Sequence, residues 1–151
     1  LKVVQKNDSM GSDELMEIRE EVRIMSMLCH PFVVDLITSY EDDKCVYILM
    51  PLFPGGELFD VIYQEDDSGN DFSGLREEQS QFYAAVIADT LAYLHRHNIL
   101  YRDLKPENVL VDAEGYPVIV DFGFGKYLHS LLSKICCAIP HQACRRLQPS
   151  T

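Results

Sequence analysis

The chain has 151 residues, 47% of them hydrophobic, which is enough for the core of one ordinary globular domain or of a piece of a larger one and excludes a disordered tail. Thirteen basic against 24 acidic residues give a formal charge of −11, which argues against a nucleic-acid footprint and against attraction to an anionic membrane. A basic peptide or a metal-bound ligand suits that balance better, although solubility alone also favours net charge.

Five cysteines (Cys29, Cys45, Cys136, Cys137, Cys144) form no regular disulfide framework, so a reducing, cytoplasmic compartment is expected. Cys136, Cys137, His141 and Cys144 crowd together, but without a paired CxxC they do not read as a zinc site. No apolar run approaches the ~20 residues of a membrane span, and no signal peptide is visible. The chain starts at Leu1 without a Met, so a preceding segment is expected.

In chain order, residues 13–29 place Leu15, Ile18, Val22, Met25 and Cys29 on one stripe at helical spacing and predict an amphipathic helix. The apolar runs Phe32 to Tyr40 and Cys45 to Met50, joined by Glu41-Asp42-Asp43-Lys44, predict a hairpin. Pro51 and Pro54-Gly55-Gly56 break regular structure. A polar stretch from Gln64 to Gly74 reads as a surface loop. Tyr83, Val86, Ile87, Thr90, Leu91 and Leu94 then signal a long helix from Glu77 to His97, with that stripe in the core and His95 as a buried structural histidine. Val109 to Val111 and Val118 to Val120, separated by Asp112-Ala113-Glu114-Gly115, predict a second hairpin. The fold class is α+β: a small sheet with one helix, a Pro/Gly hinge, and a helical part carrying a polar loop and hairpin.

The chemistry gathers in Tyr101-Arg102-Asp103-Leu104-Lys105-Pro106-Glu107-Asn108, a loop between the long helix and a strand. It puts a carboxylate, an ammonium and an amide within a short, proline-stiffened stretch. Phosphoryl transfer needs such a set: a carboxylate for the substrate hydroxyl, a cation for charge on the γ-phosphate, and an oxygen ligand for Mg²⁺.

This string resembles the catalytic loop of eukaryotic-type serine/threonine protein kinases, and Asp121-Phe122-Gly123 resembles their metal-binding motif. The resemblance runs from Leu1 to about Leu128. It implies a two-lobe protein-kinase fold, with residues 1–50 in the N-terminal lobe, 51–59 as hinge and 60–128 as the start of the C-terminal lobe. It implies Asp103 as catalytic base, Lys105 at the γ-phosphate, and Asn108 and Asp121 as magnesium ligands. The family's strand lysine would be Lys2 and its helix glutamate Glu21, both catalytic. Glu21 lies about 80° from the centre of the apolar stripe, whereas Glu20 points away. Met50 would be the gatekeeper and Pro51, Leu52 and Phe53 would meet adenine by their backbone. Lys2, Glu57 and Leu110 complete the implied ATP-binding set. Met25, Leu36, Tyr101 and Phe122 would form a stack joining the lobes.

Pro54-Gly55-Gly56-Glu57-Leu58-Phe59, with Tyr101 before Arg102-Asp103, resembles the AGC group and especially cyclic-nucleotide-dependent kinases. There Glu57 and Glu107 would receive arginines preceding the target residue; ribose binding for Glu57 and simple solvation for Glu107 stay open. ATP and Mg²⁺ are the implied cofactors. Protein substrates with basic Ser/Thr sites, and a regulatory cyclic-nucleotide-binding domain or subunit outside this chain, are the implied partners. A Gly-rich loop should precede Lys2, and residues 129–151 show no match to the family's continuation. The expectation is therefore a chain truncated at both ends and impaired by itself, or else a non-catalytic product that binds nucleotide or a partner. Kinase-like enzymes acting on small molecules lack the KPEN and PGGELF strings.

Overall fold

A computed structural model describes residues 1–6, 11–65 and 71–128. The group at Cys136, Cys137, His141 and Cys144, and residues 129–151 as a whole, expected as a tail without resemblance, lie outside the described residues.

Three strands open the fold: β1 (Lys2–Gln5), β2 (Thr38–Glu41) and β3 (Cys45–Leu49), antiparallel in the order β1-β3-β2, with Lys2 opposite Ile48 and Thr38 opposite Leu49. Asp42 makes the turn between β2 and β3: its Oδ1 accepts the N–H groups of Lys44 and Cys45, each at 2.7 Å. Helix α1 (Ser12–Met27) packs on this sheet, with Asp13 and Glu14 in its first turn complementing the helix dipole. It stops at Leu28, shortly before Pro31, which disfavours helical geometry at His30. The buried face is Glu21, Ile24 and Met25, while Cys29, expected at the end of the stripe, is exposed beyond the helix.

The predicted first hairpin is shorter at its start than Phe32. The strand begins at Thr38, because Phe32 to Val34 pair elsewhere: Val33 bridges Ile119 in parallel, and Ile119 N–H donates to Phe32 O at 2.9 Å. Hydropathy marks this run as buried but does not say which strand it joins.

Downstream come α2 (Leu58–Ile62), β4 (Tyr63–Glu65) paired with β5 (Asp71–Ser73), and α3 (Glu77–Arg96). The stretch from Gln64 to Gly74, expected as a loop, thus carries a short ladder on either side of residues 66–70, which lie outside the description. Gln79 Oε1 accepts the Arg76 N–H at the start of α3, and Asn98, in the left-handed region at φ 58°, ends it. Thr90 and Leu94 are fully buried; Tyr83, Val86, Ile87 and Leu91 are half-buried. His95 is exposed, which corrects the buried role expected of it: its position lies one residue past Leu94, off the inward face. Tyr93 pins α3 to the end of α1, its hydroxyl accepting from Cys29 N–H at 3.0 Å and donating to Cys29 O at 3.1 Å.

After α3, β6 (Ile99–Leu100) pairs with β9 (Lys126–Tyr127), and β7 (Val109–Val111) pairs with β8 (Pro117–Ile119), with Val109 opposite Ile119. One continuous apolar cluster takes in Ile24 and Met25 of α1, Ile48 of β3, Leu94 of α3, and Tyr101, Ile119 and Phe122. The core therefore crosses from the sheet to the helical part rather than stopping at the Pro/Gly segment. Among the described residues no helix is long and apolar enough to cross a membrane.

Candidate active site

Strand β1 carries Lys2 to the middle of the site. Its Nζ donates to Glu21 Oε1 at 2.8 Å and to Asp121 Oδ1 at 3.1 Å. Glu21 comes from the buried face of α1 and is only 4% exposed, so its charge is compensated on the spot by that ammonium and by the Phe122 N–H. Glu20 has no share in this, lying near Arg23 at 3.9 Å. Burial works against the charge on Lys2, but Glu21 and Asp121 together outweigh it and push its pKa up. Burial pushes the Glu21 carboxyl up as well, with Asp121 adding to the push and Lys2 drawing it back. The Lys2 shift follows from two carboxylates facing one ammonium, whereas the Glu21 shift is chiefly the cost of burying its charge.

Asp121 leaves β8 in the left-handed region, φ 57°, and its Oδ1 also accepts the Gly123 N–H at 3.1 Å. The next residue, Phe122, is 1% exposed and meets Tyr101 edge to face, ring centroids 5.4 Å apart. Met25 is buried in the same cluster and Leu36 packs against it half-buried. The Tyr101 hydroxyl donates to Val120 O at 2.6 Å. Burial, and then the charges of Asp121 and Asp103, push that phenol far up, so it stays a donor.

A second group is local to the loop between β6 and β7. Lys105 Nζ donates to Asp103 Oδ2 at 3.0 Å, and Asn108 Nδ2 donates to the same oxygen at 2.7 Å and to Asp103 O at 3.0 Å. Pro106 to Asn108 form a single 3-10 turn that swings Asn108 back towards Asp103 and buries it. The Lys105 bond first of all, with help from Asn108, holds the Asp103 carboxyl below its usual range against an opposing desolvation. Asp103 in turn raises Lys105, and Asp121 contributes to that from the other group. A carboxylate held ionised beside an ammonium can orient a hydroxyl and take its proton while a neighbouring cation faces an anion.

The Asn108 amide nitrogen donates to Asp103, and the amide oxygen is the end of that side chain able to act as a metal ligand. With the half-exposed Asp121 carboxylate it makes a hard oxygen donor pair of the sort magnesium takes while keeping several waters. The donor chemistry therefore fits that ion. Among the described residues no group of three or more His, Cys, Asp or Glu could hold a metal by themselves.

Of the residues expected at a nucleotide, Met50 and Phe53 are half-buried against the main core, Pro51 is half-buried and Leu52 is 90% exposed. Leu110 is half-buried in β7 and bridges Glu57 across an antiparallel pair. Glu57 and Glu107 are exposed. Sequence reading overlooked Arg102, which sits at φ 66° and donates from Nε to Phe124 O at 2.8 Å, tying the Asp103 loop to the segment after Gly123. Its place beside Asp103 was the available signal. Neither the Glu21–Phe122 bond nor the Tyr93–Cys29 clasp has a sequence signature, since both use backbone groups.

Comparison with known proteins agrees with these motifs. The profile described as "Protein kinase domain" matches residues 1–149, past Leu128 where recognisable motifs end. Human cGMP-dependent protein kinase 2 is 38% identical over 130 residues, covering 86% of this chain and 16% of that protein. The cGMP-dependent protein kinase of Toxoplasma gondii is 40% identical over 126 residues, 83% of this chain and 12% of its own length. Yeast (Saccharomyces cerevisiae) cAMP-dependent protein kinase type 3 is 34% identical over 136 residues, 90% of this chain and 32% of the relative. The chain thus spans a third or less of each of these proteins.

Proposed function

The chain belongs to the protein kinase domain family, among relatives of the serine/threonine type, and from that premise we propose that it carries the phosphotransfer centre of an enzyme moving the γ-phosphoryl group of ATP to Ser or Thr hydroxyls. The observation that carries this reading is a pair of charge groups, Lys2 bonded to both Glu21 and Asp121, and Asp103 bonded to Lys105 and Asn108, close enough that the charge of Asp121 raises Lys105.

In this reading Asp103 orients the substrate hydroxyl and accepts its proton as the oxygen attacks phosphorus, and its lowered pKa keeps it ready to do so at neutral pH. Lys105 faces the charge gathering on the transferred phosphoryl oxygens. Lys2, aimed by buried Glu21, holds the nucleotide phosphates. Asn108 and Asp121 would hold magnesium, which supplies charge neutralisation on the phosphates when bound. Met50, Pro51, Leu52, Phe53 and Leu110 enclose adenine, Pro51 through its carbonyl because it has no N–H.

Glu57 and Glu107 receive arginines that precede the target residue, in line with the −11 charge of the chain. Regulation by a cyclic-nucleotide-binding domain or subunit follows the relatives' names, which are cGMP-dependent and cAMP-dependent kinases. A reducing cytoplasmic setting agrees with the free thiols of Cys29 and Cys45.

Asp103→Asn tests the chemical assignment. In single-turnover kinetics with a basic Ser/Thr peptide, this substitution in a protein completed with a Gly-rich loop and C-terminal lobe should lower transfer by about 10³-fold while ATP affinity changes little. Transfer at the unsubstituted rate would remove Asp103 from its role.

A further inference from the structure

Just before α2, the Pro/Gly segment lies directly on β7. Gly55 N–H donates to Val111 O at 3.0 Å, and Val111 N–H donates to Gly56 O at 2.9 Å. Glu57 then bridges Leu110, and Leu58 is buried on Val109 and Val111. The approach is so close that a Cβ on Gly55 would sit 2.7 Å from Val111 O, 2.8 Å from Val111 Cβ and 2.9 Å from its Cγ1. Two of these three atoms are fixed by the backbone, so a side chain at 55 cannot be accommodated by a rotamer change; one strand must move.

What moves with it matters. β7 begins at Val109, directly after Asn108, whose amide holds Asp103. On the facing segment Glu57 follows Gly55 by two residues. The clasp thus sets the distance from an exposed carboxylate and the hinge on one side to the Asp103–Asn108 loop on the other.

We propose that Gly55 is a positioning residue for recognition of nucleotide and basic peptide. Its missing side chain lets the hinge lie on β7 and so fixes Glu57 and Leu110 relative to Asp103. The inference rests on the phosphotransfer reading and adds a residue to it. A side chain at 55 opens the clasp, shifts Glu57 outward and tilts Leu110, so both ligands lose contact while Asp103, Lys105 and Asn108 keep their mutual bonds.

The test compares full-chain wild type, Gly55→Ala and Gly115→Ala by calorimetric titration. The ligands are Mg·ATP, a heptapeptide with arginines two and three residues before a serine, and its glutamine counterpart. Gly115 is a control: it sits at φ +90° in the β7–β8 turn with open space around it, so its substitution costs stability without touching the clasp. Hydrogen exchange at the Val111 N–H reports the clasp itself.

Gly55→Ala should lose protection at Val111, weaken Mg·ATP by about tenfold and erase most of the preference for the arginine peptide. A double substitution with Glu57→Gln should add little further loss of that preference. Gly115→Ala should lower the melting temperature with affinities unchanged. Unaltered affinity and preference in Gly55→Ala, with a wild type that binds both ligands, would overturn the positioning role alone. A wild type that binds neither ligand even when this chain is completed with a Gly-rich loop and C-terminal lobe would overturn the phosphotransfer reading and this role with it.

Discussion

Lys105 and Asn108 reach Asp103 from two and five residues away, whereas Lys2 reaches Asp121 across 119 residues of chain. The first group is held by one proline-stiffened loop and a single 3-10 turn, and its carboxylate is partly open to solvent. The second depends on α1 packing between the sheet and Phe122, and its key carboxylate is buried. Local geometry makes the Asp103 group robust. The Lys2 group exists only while α1 stays docked, so the fold can lose it without unfolding the loop.

The largest blow to that contrast should come from Phe122→Ala. Removing a ring that is 1% exposed and touches both Tyr101 and α1 should cost about 3–5 kcal/mol. Denaturant unfolding measures the loss, and a cost under about 1 kcal/mol would mean that Phe122 does not join the two parts.

Lys2→Met comes next. It leaves Glu21 buried without its ammonium, but Lys2 is itself one-third exposed, so about 2 kcal/mol is expected rather than the roughly 3–5 of a fully buried pair. Asn108→Ala, at the local group, should cost about 1 kcal/mol and leave α1 in place, as the hydrogen exchange of α1 amides would show. Equal losses of protection in α1 from both substitutions would erase the distinction.

The two groups should also fail at opposite ends of the pH scale. Lys2 is raised above 10.5, so its contribution is complete below that pH and is lost as pH rises through its folded value. Asp103 is held below 3.8, so its contribution is complete above that pH and disappears as pH falls through its folded value. Melting curves of wild type minus Lys2→Met should therefore converge on the alkaline side. A difference that persists unchanged well above 10.5 would show that Lys2 acts by packing alone.

The smallest effect is expected at the exposed carboxylates. Glu57→Gln or Glu107→Gln should narrow the preference for arginine-bearing over neutral peptides by about three- to tenfold with little change in stability. A peptide library that shows acidic or proline-directed preference would contradict both assignments.

The same local-versus-remote division governs what the sequence revealed. Asp103, Lys105 and Asn108 were legible because their partners lie in the same eight residues, and the Val109–Val111 hairpin was legible because its turn is written between its strands. Glu21 could be chosen over Glu20 from helical angle alone. Where partners are distant, pattern failed: Phe32 to Val34 read as part of a hairpin with β3 but pair with β8 instead. His95 read as buried although it faces solvent, and the polar stretch around Gln64 hid a ladder between Tyr63–Glu65 and Asp71–Ser73. The clasp of Gly55 on Val111 was invisible for the same reason, since a glycine next to a proline reads only as a break.

The role proposed for Asp121, which is bonded to Lys2 and raises Lys105 through its charge, is the charged half of a magnesium site. Its most direct test is the magnesium dependence of ATP affinity in wild type and Asp121→Asn. Wild type should bind ATP at least about tenfold more tightly with Mg²⁺ than without, and the substitution should abolish most of that gain while leaving metal-free affinity nearly unchanged. An identical magnesium dependence in both proteins would contradict the claim.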